Sequence, residues 1–323
     1  MTGCLVENCE VLHGGGNNAD YAYGGGGSLG GHNGDDGRGM LSNAVVRNCR
    51  IVLKNHGSSA GYAYGGGVFI NTTASKEADM SLVYGTVIER CCVTNLMTFK
   101  STRCQGGGAY LTSRGGAPGS QIRNCRIAGC WSSCNGGGVF FSKGTGYDLT
   151  VTGNVARADG AGAYVSGVSS VLRNSLVAAN EGQSAVYLTA DSLSLQSCTI
   201  AGNACTGIAL NAADGCENVR ISNTIVSRNA CTAQIASALD VGGVYAANVT
   251  TSFVGGDPKF VSRSRGDYRL RYGSPCRGQG LVEAWMTNAK ALDESPRIDP
   301  EDGTVDIGAY QHTPFVGFSI QVR

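Results

Sequence analysis

The stretch GYAYGGGVFI, residues 61–70, repeats DYAYGGGGSL, residues 20–29, at an offset of 41 positions. Recurrence at a fixed spacing marks a stacked-repeat architecture, and missing it misassigns the whole fold. The glycine-led half continues as GGGAYL (106–111), GGGVFF (136–141), GAGAYV (160–165), SAVYL (184–188) and TGIAL (206–210). The final residues of these segments, Ile70, Leu111, Phe141, Val165, Leu188 and Leu210, step by 41, 30, 24, 23 and 22 positions.

A second series alternates with the first. Its anchors are Asn8, Asn48, Arg90, Asn124, Asp148, Asn174, Ser197 and Asn223, within segments such as LVENCEV, VVRNCRI, QIRNCRI and RISNTIVSRN. Each unit therefore holds three short apolar segments rich in Val, Ile, Leu and Tyr, separated by Gly, Asn or Ser. Period-two alternation over so few residues is the pattern of a strand, and nothing before residue 280 sustains a helical period. Strands this short bury their apolar face only by stacking unit upon unit. The predicted fold is all-β, a parallel β-helix solenoid of about eight coils, roughly 40 Å long at the usual strand spacing.

Composition agrees. The 323 residues include 50 glycines and only 6 prolines, which suits repeated tight turns and excludes collagen-like or proline-rich classes. Lys and Arg total 25 against 24 Asp and Glu, so no basic field points to nucleic acid. No run of about 18 apolar residues suggests a membrane span, and MTGCLVENCEV lacks the regions of a signal peptide. The 14 cysteines form no zinc-spaced set, so no metal site is assigned from them; Cys125, Cys130 and Cys134 leave a disulfide open.

Stacking accounts for other residue types. Asn8, Asn48, Asn124, Asn174 and Asn223 are expected to share one turn position, and Asn154, Asn180, Asn203 and Asn229 another, because asparagine tolerates the left-handed backbone and stacked amides bond along the axis. Cys9, Cys49, Cys91, Cys125 and Cys198 follow the first of these by one place and are read as interior fillers.

These coils resemble the right-handed parallel β-helix repeat proteins of the pectate-lyase-like superfamily, whose units read GGGIY followed by an N-S-x-I-x-x-N element. The resemblance covers roughly residues 1–250. It implies the fold; for activity the superfamily spans polysaccharide lyases, glycoside hydrolases, esterases, tailspikes and non-catalytic adhesins. Composition changes near Val254. GGDPKFV (255–261), GDYRL (266–270), GSPCRGQG (273–280), PRID (296–299) and VDIGAYQ (305–311) are similar to the closing segment of a bacterial surface-protein domain known as choice-of-anchor Q, with Gln311 where that pattern has glutamate. This divides the chain into β-helix repeats, 1–253, and a C-terminal capping segment, 254–323, expected to cover the open end of the stack. The resemblance implies a secreted or cell-surface bacterial protein. Met1 falls within a coil, so a fragment lacking its N-terminal cap is expected.

The long early coils suggest where a site lies. KNHGSSAGYAYG (54–65) enters the glycine-led strand and NTTASKEADMSLVYGT (71–86) leaves it, and two walls beside one strand make a groove. Alternation turns Val68, Ile70, Ala109, Leu111, Val139 and Phe141 inward, and Phe69, Tyr110, Phe140, Tyr164 and Tyr187 outward. With Tyr21 over Tyr62, Tyr23 over Tyr64, and His56 nearby, these aromatics are a candidate platform for sugar rings, or else a stack that only stabilises the sheet. The candidate catalytic residues are His32, Asp35, Asp36 and Arg38 in GHNGDDGRG (31–39), facing His13, Asp20 and His56. Asp35 and Asp36 suit Ca²⁺ binding against a uronate with Arg38 as base, as a lyase needs, whereas an inverting hydrolase needs carboxylates about 6.5–9.5 Å apart. Asp-Asp-Gly is equally ordinary turn chemistry. The expected partner is a polysaccharide or surface glycan; the alternative is a non-catalytic spacer or adhesin at the cell surface.

Overall fold

The computed structural model describes residues 1–13, 20–30, 38–54, 61–73, 80–96, 103–113, 119–189, 192–211, 218–231, 234–237 and 249–312. Among the described residues every strand pairing but one is parallel, and within the stack each strand pairs with its counterpart in the adjacent coil. Taking the coil that begins at Met40, the chain visits sheet A (Met40–Ser42), sheet B (Val45–Arg47), sheet C (Arg50–Leu53), sheet D (Gly61–Tyr64) and sheet E (Val68–Thr72) before returning to sheet A at Leu82–Tyr84. Sheets A and E contain eight strands each and sheet B nine, whereas sheets C and D contain five and three. The result is a parallel β-helix whose first coils carry an extra wing built from C and D.

The interior is lined by the inward-phase residues. Val68, Ile70, Ala109, Leu111, Val139, Phe141, Ala163, Val165, Val186 and Leu188 all belong to one continuous apolar core with Val46, Ile88, Ile127, Val151, Val177 and Ile200 of sheet B. Each such Val, Leu, Ile or Phe side chain contributes about 1.5–3 kcal/mol on burial. The wing has a separate small core of Ala22, Ile51, Leu53, Ala63, Val93 and Cys104. The longer early coils thus spend part of their extra length on two more strands, five per coil instead of the three segments expected.

The glycine triplet has a geometric cause. Gly65 takes φ 72°, a left-handed corner that non-glycine residues enter at a cost. A Cβ on Gly67 would stand 2.6 Å from the Gly108 carbonyl oxygen and 3.2 Å from Cys91 Sγ, so the chain turns here only without a side chain.

The corner series is corrected by the structure. Asn8, Asn48 and Arg90 end sheet B strands, whereas Asn124, Asp148, Asn174, Ser197 and Asn223 end sheet A strands. They therefore do not share one turn position. Each coil has two left-handed corners five residues apart: Asn43 and Asn48, Gly85 and Arg90, Asn124 and Gly129, Asp148 and Gly153, Asn174 and Ala179, Ser197 and Gly202, Asn223 and Arg228, all with φ between 48° and 67°. Both corners read alike locally, and the sequence alignment slipped from one to the other between Arg90 and Asn124.

The slip also divides the cysteines. The residue after the sheet B corner forms a column that runs Cys49, Cys91, Cys130 and then Asn154, Asn180, Asn203, Asn229. Each member donates to a backbone carbonyl of the coil before it. The thiols of Cys49, Cys91 and Cys130 reach Val6, Val46 and Ile88 at 3.8, 3.7 and 3.8 Å. The amides of Asn154, Asn180, Asn203 and Asn229 reach Ile127, Val151, Val177 and Ile200 at 3.0, 3.1, 3.0 and 3.0 Å. One rung is made first with weak thiol donors and then with amides. Cys125 and Cys198 follow the other corner, where burial pushes both thiols up to about 12. Cys125 and Cys130 are free thiols, so neither takes part in the disulfide left open above.

The C-terminal segment lies along the flank of the stack. Phe260, Tyr268, Cys276 and Ile307 pack against Leu176, Ala178, Ala201 and Ile225, side chains on the outer face of sheet B. Asn174 and Asn223 of the sheet A corners donate to the carbonyls of Lys290 and Leu281, both at 2.8 Å. Within the segment, fully buried Arg297 donates to the carbonyls of Tyr310, Asp306 and Gly308 at 3.1, 2.7 and 2.7 Å. In its described contacts the segment packs against sheets A and B from the side.

Candidate functional site

Sheets D and E meet at the glycine corner, and their outward side chains converge there. Along sheet E the rings of Phe69, Tyr110, Phe140, Tyr164 and Tyr187 stack with successive centroid separations of 5.6, 5.0, 4.6 and 4.9 Å. On sheet D, Tyr21 stands over Tyr62 at 4.8 Å and Tyr23 over Tyr64 at 5.8 Å, with strand register pairing the same residues. The two sets touch across the corner, Tyr23 to Phe69 at 4.5 Å and Tyr64 to Tyr110 at 4.6 Å. A wall of tyrosines therefore stands on a floor of mixed Phe and Tyr.

Exposure differs sharply between wall and floor. Phe69, Tyr110 and Phe140 lie outside the interior core but are only 5%, 8% and 3% exposed, because each ring covers the next. Tyr21, at the outer lip of the wall, is 52% exposed. The outward phase expected for the floor is present; an open floor is not. Burial raises the hydroxyls of Tyr64 and Tyr110 above the ordinary phenol range, so both stay protonated donors at neutral pH.

Register places polar groups at the same wall positions in later coils. Arg103 pairs with Tyr62 and Gln105 with Tyr64. Gln105 bridges to Asn135, and the Asp159 carbonyl accepts from the Gly136 N–H at 3.0 Å, which puts Asp159 next in line. The Asp159 carboxylate accepts from Ser184 Oγ at 3.0 Å, and burial nonetheless raises its pKa above the usual carboxylate range. The wall thus changes along the helix from tyrosine to arginine, amide and acid. The sequence signal was available, since RCQGGG (103–108) occupies the register of YAYGGG.

Of the catalytic candidates, Arg38 is exposed ahead of strand Met40–Ser42, while His32, Asp35 and Asp36 lie outside the described residues, as does His56. His13 ends strand Glu10–His13 in sheet C and Asp20 begins strand Asp20–Tyr23 in sheet D. Among the described residues no group of three or more His, Cys, Asp or Glu gathers to hold a metal ion. The described surface offers flat apolar faces bordered by donors and by one acid at the end of the wall.

Residues 107–256 match the family described as "Right handed beta helix region". The chain is a right-handed parallel β-helix. Among solved structures, the crystal structure of pectate lyase Pel9A is similar, with 10% sequence identity, 96% of this chain and 87% of that chain covered, and a TM-score of 0.45. No curated protein matches the sequence. No helix among the described residues is long and apolar enough to cross a membrane.

Proposed function

We propose that this protein is a secreted or surface-attached bacterial β-helix that binds polysaccharide along the corner between sheets D and E. The observation that carries the reading is the join of Tyr21, Tyr62, Tyr23 and Tyr64 to the Phe69–Tyr187 stack, an aromatic corner exposed at Tyr21 and bordered by Arg103 and Gln105. Sugar rings present flat C–H faces to aromatic rings and hydroxyls to neighbouring donors, and this surface supplies both. The similarity of residues 255–311 to a bacterial surface-protein segment supports the location. Lyase or hydrolase chemistry enters this reading through His32, Asp35, Asp36 and Arg38.

The test is retention on immobilised plant, algal and mucin glycans. Wild type is expected to be retained by at least one class, and the Tyr21→Ala/Tyr62→Ala pair to lose about tenfold in affinity or more, given about 1–3 kcal/mol per aromatic contact with a planar ligand. No retention on any glycan ends the proposal. Release of unsaturated or reducing ends by wild type, abolished in Asp35→Ala, Asp36→Ala and Arg38→Ala, would add catalysis. A second reading, a non-catalytic rod that spaces other domains or acts as an adhesin, draws on the near-complete burial of Phe69, Tyr110 and Phe140.

A further inference from the structure

A cleft of about 550 Å³ separates the outer face of sheet A from the C-terminal segment. It lies on a different sheet from the aromatic corner and is independent of whether that corner binds sugar. Its floor is a column of residues that each immediately precede a sheet A corner: Tyr84, Arg123, Tyr147 and Arg173. Trp285 of the C-terminal segment forms the opposite side. The Arg123 guanidinium lies 4.6 Å from the Tyr147 ring centre, and that of Arg173 lies 5.1 Å from Tyr147 and 4.7 Å from Trp285. Cation and ring alternate along one face, with the cleft in front of them.

The charges do not balance internally. Lys290 at the rim pairs with Glu294 at 3.0 Å. Arg173 Nε donates to the neutral amide of Gln196 at 2.7 Å. Among the described residues neither Arg123 nor Arg173 has a carboxylate within ion-pair distance, and the one further acid lining the cleft, Asp148, accepts from Asn174 Nδ2 at 2.6 Å. Glu283, which accepts from Trp285 Nε1 at 3.0 Å and also acts on Arg173, is itself paired with Arg220 at 3.4 Å. Two arginines against Asp148 then leave a single positive charge in a partly enclosed, ring-lined space. Arginine presents several donors in a planar fork that fits a carboxylate, and aromatic rings hold a flat partner.

We infer that this cleft is a binding site for a carboxylate carried on a ring, with the carboxylate on Arg123 and Arg173 and the ring against Trp285, the Tyr147 ring being already covered by the two guanidinium groups. Acidic sugars and aromatic acids share that chemistry.

Trp285 is one of two tryptophans, so in a Trp131→Phe background its fluorescence reports the cleft. The probes are sodium glucuronate and sodium benzoate, with methyl glucoside and benzyl alcohol as their neutral counterparts. The expected result is a saturable change with at least one acid and binding of its neutral counterpart at least about tenfold weaker. Arg123→Gln should weaken the acid by about tenfold or more, the effect of a lost charge-assisted hydrogen bond. Asp148→Asn should tighten it, because a like charge is removed. Opposite signs from two neighbouring substitutions separate recognition from damage to the fold. Saturation by glucuronate alone assigns an acidic sugar, and by benzoate alone an aromatic acid. The inference is overturned by no saturable change with either acid, by equal binding of acid and neutral probe, by an affinity unmoved in Arg123→Gln, or by a shift in the same direction in both variants.

Discussion

Asn154 makes two hydrogen bonds to Asn180 Oδ1, one from its backbone N–H at 2.9 Å and one from Nδ2 at 3.1 Å, and Asn180 repeats both to Asn203 at 2.9 Å. Both asparagines are fully buried. Asn180→Ala strands two donors of Asn154 in a dry interior, and each unsatisfied buried group costs roughly 1–3 kcal/mol. Cys130→Ala, one rung before the amides begin, removes only a weak thiol donor, 3.8 Å from the Ile88 and 3.6 Å from the Ala128 carbonyl oxygen, and is expected to cost about 1–2 kcal/mol. Urea unfolding of the two variants checks the ranking; a larger loss in Cys130→Ala contradicts it.

Gly67→Ala forces a Cβ to 2.6 Å from the Gly108 oxygen, whereas Gly27→Ala meets nothing within 4 Å. The first is expected to destabilise by about 1–3 kcal/mol, the scale of overpacking in a filled interior, and the second to stay near wild type. Thermal melts of the pair check the contrast.

The aromatic corner should separate stability from binding. Phe140 lies between Tyr110 at 5.0 Å and Tyr164 at 4.6 Å and is almost wholly covered, so Phe140→Ala should cost about 3–5 kcal/mol. Tyr21→Ala at the exposed lip should barely move the unfolding midpoint while weakening glycan retention. Equal destabilisation by both would place Tyr21 in the packing alone.

Burial raises the Asp148 carboxyl above its ordinary range, against the lowering pull of Asn174 and of Arg123. A folded pKa above the unfolded one contributes stability below the unfolded value and loses it as pH rises through the folded one. Asp148→Asn should therefore be more stable than wild type at pH 7, with the difference closing as pH falls below about 4, where the unfolded carboxyl is also protonated. Chemical denaturation at the two pH values measures this; a variant less stable at pH 7 contradicts the sign.

The interior faces were legible from alternation alone: the phase that buries Val68 and Ile70 also buries Val186 and Leu188, because successive coils superimpose in register. The corners were legible as left-handed positions but not as two columns, since Asn124-Cys125 and Gly129-Cys130 offer the same local chemistry five residues apart. The burial of Phe69 and Phe140 was not legible, because alternation gives the direction of a side chain and says nothing of how far a neighbouring ring covers it. Tyr84, Arg123, Tyr147 and Arg173 were each visible in front of a corner residue; their cleft exists only because Trp285, more than a hundred residues later, folds back over them.

That return also constrains how the molecule can change in length. The segment from Leu281 to Lys290 is fastened at Asn223 and again at Asn174, two rungs apart. Duplication or loss of a unit between those fasteners would pull the tether out of step with its attachment points, by about 4.8 Å per unit. Among the described residues no hydrogen bond ties the segment to a unit before Asp148, so growth or shrinkage by whole coils is expected to be confined to the tyrosine-bearing half of the rod.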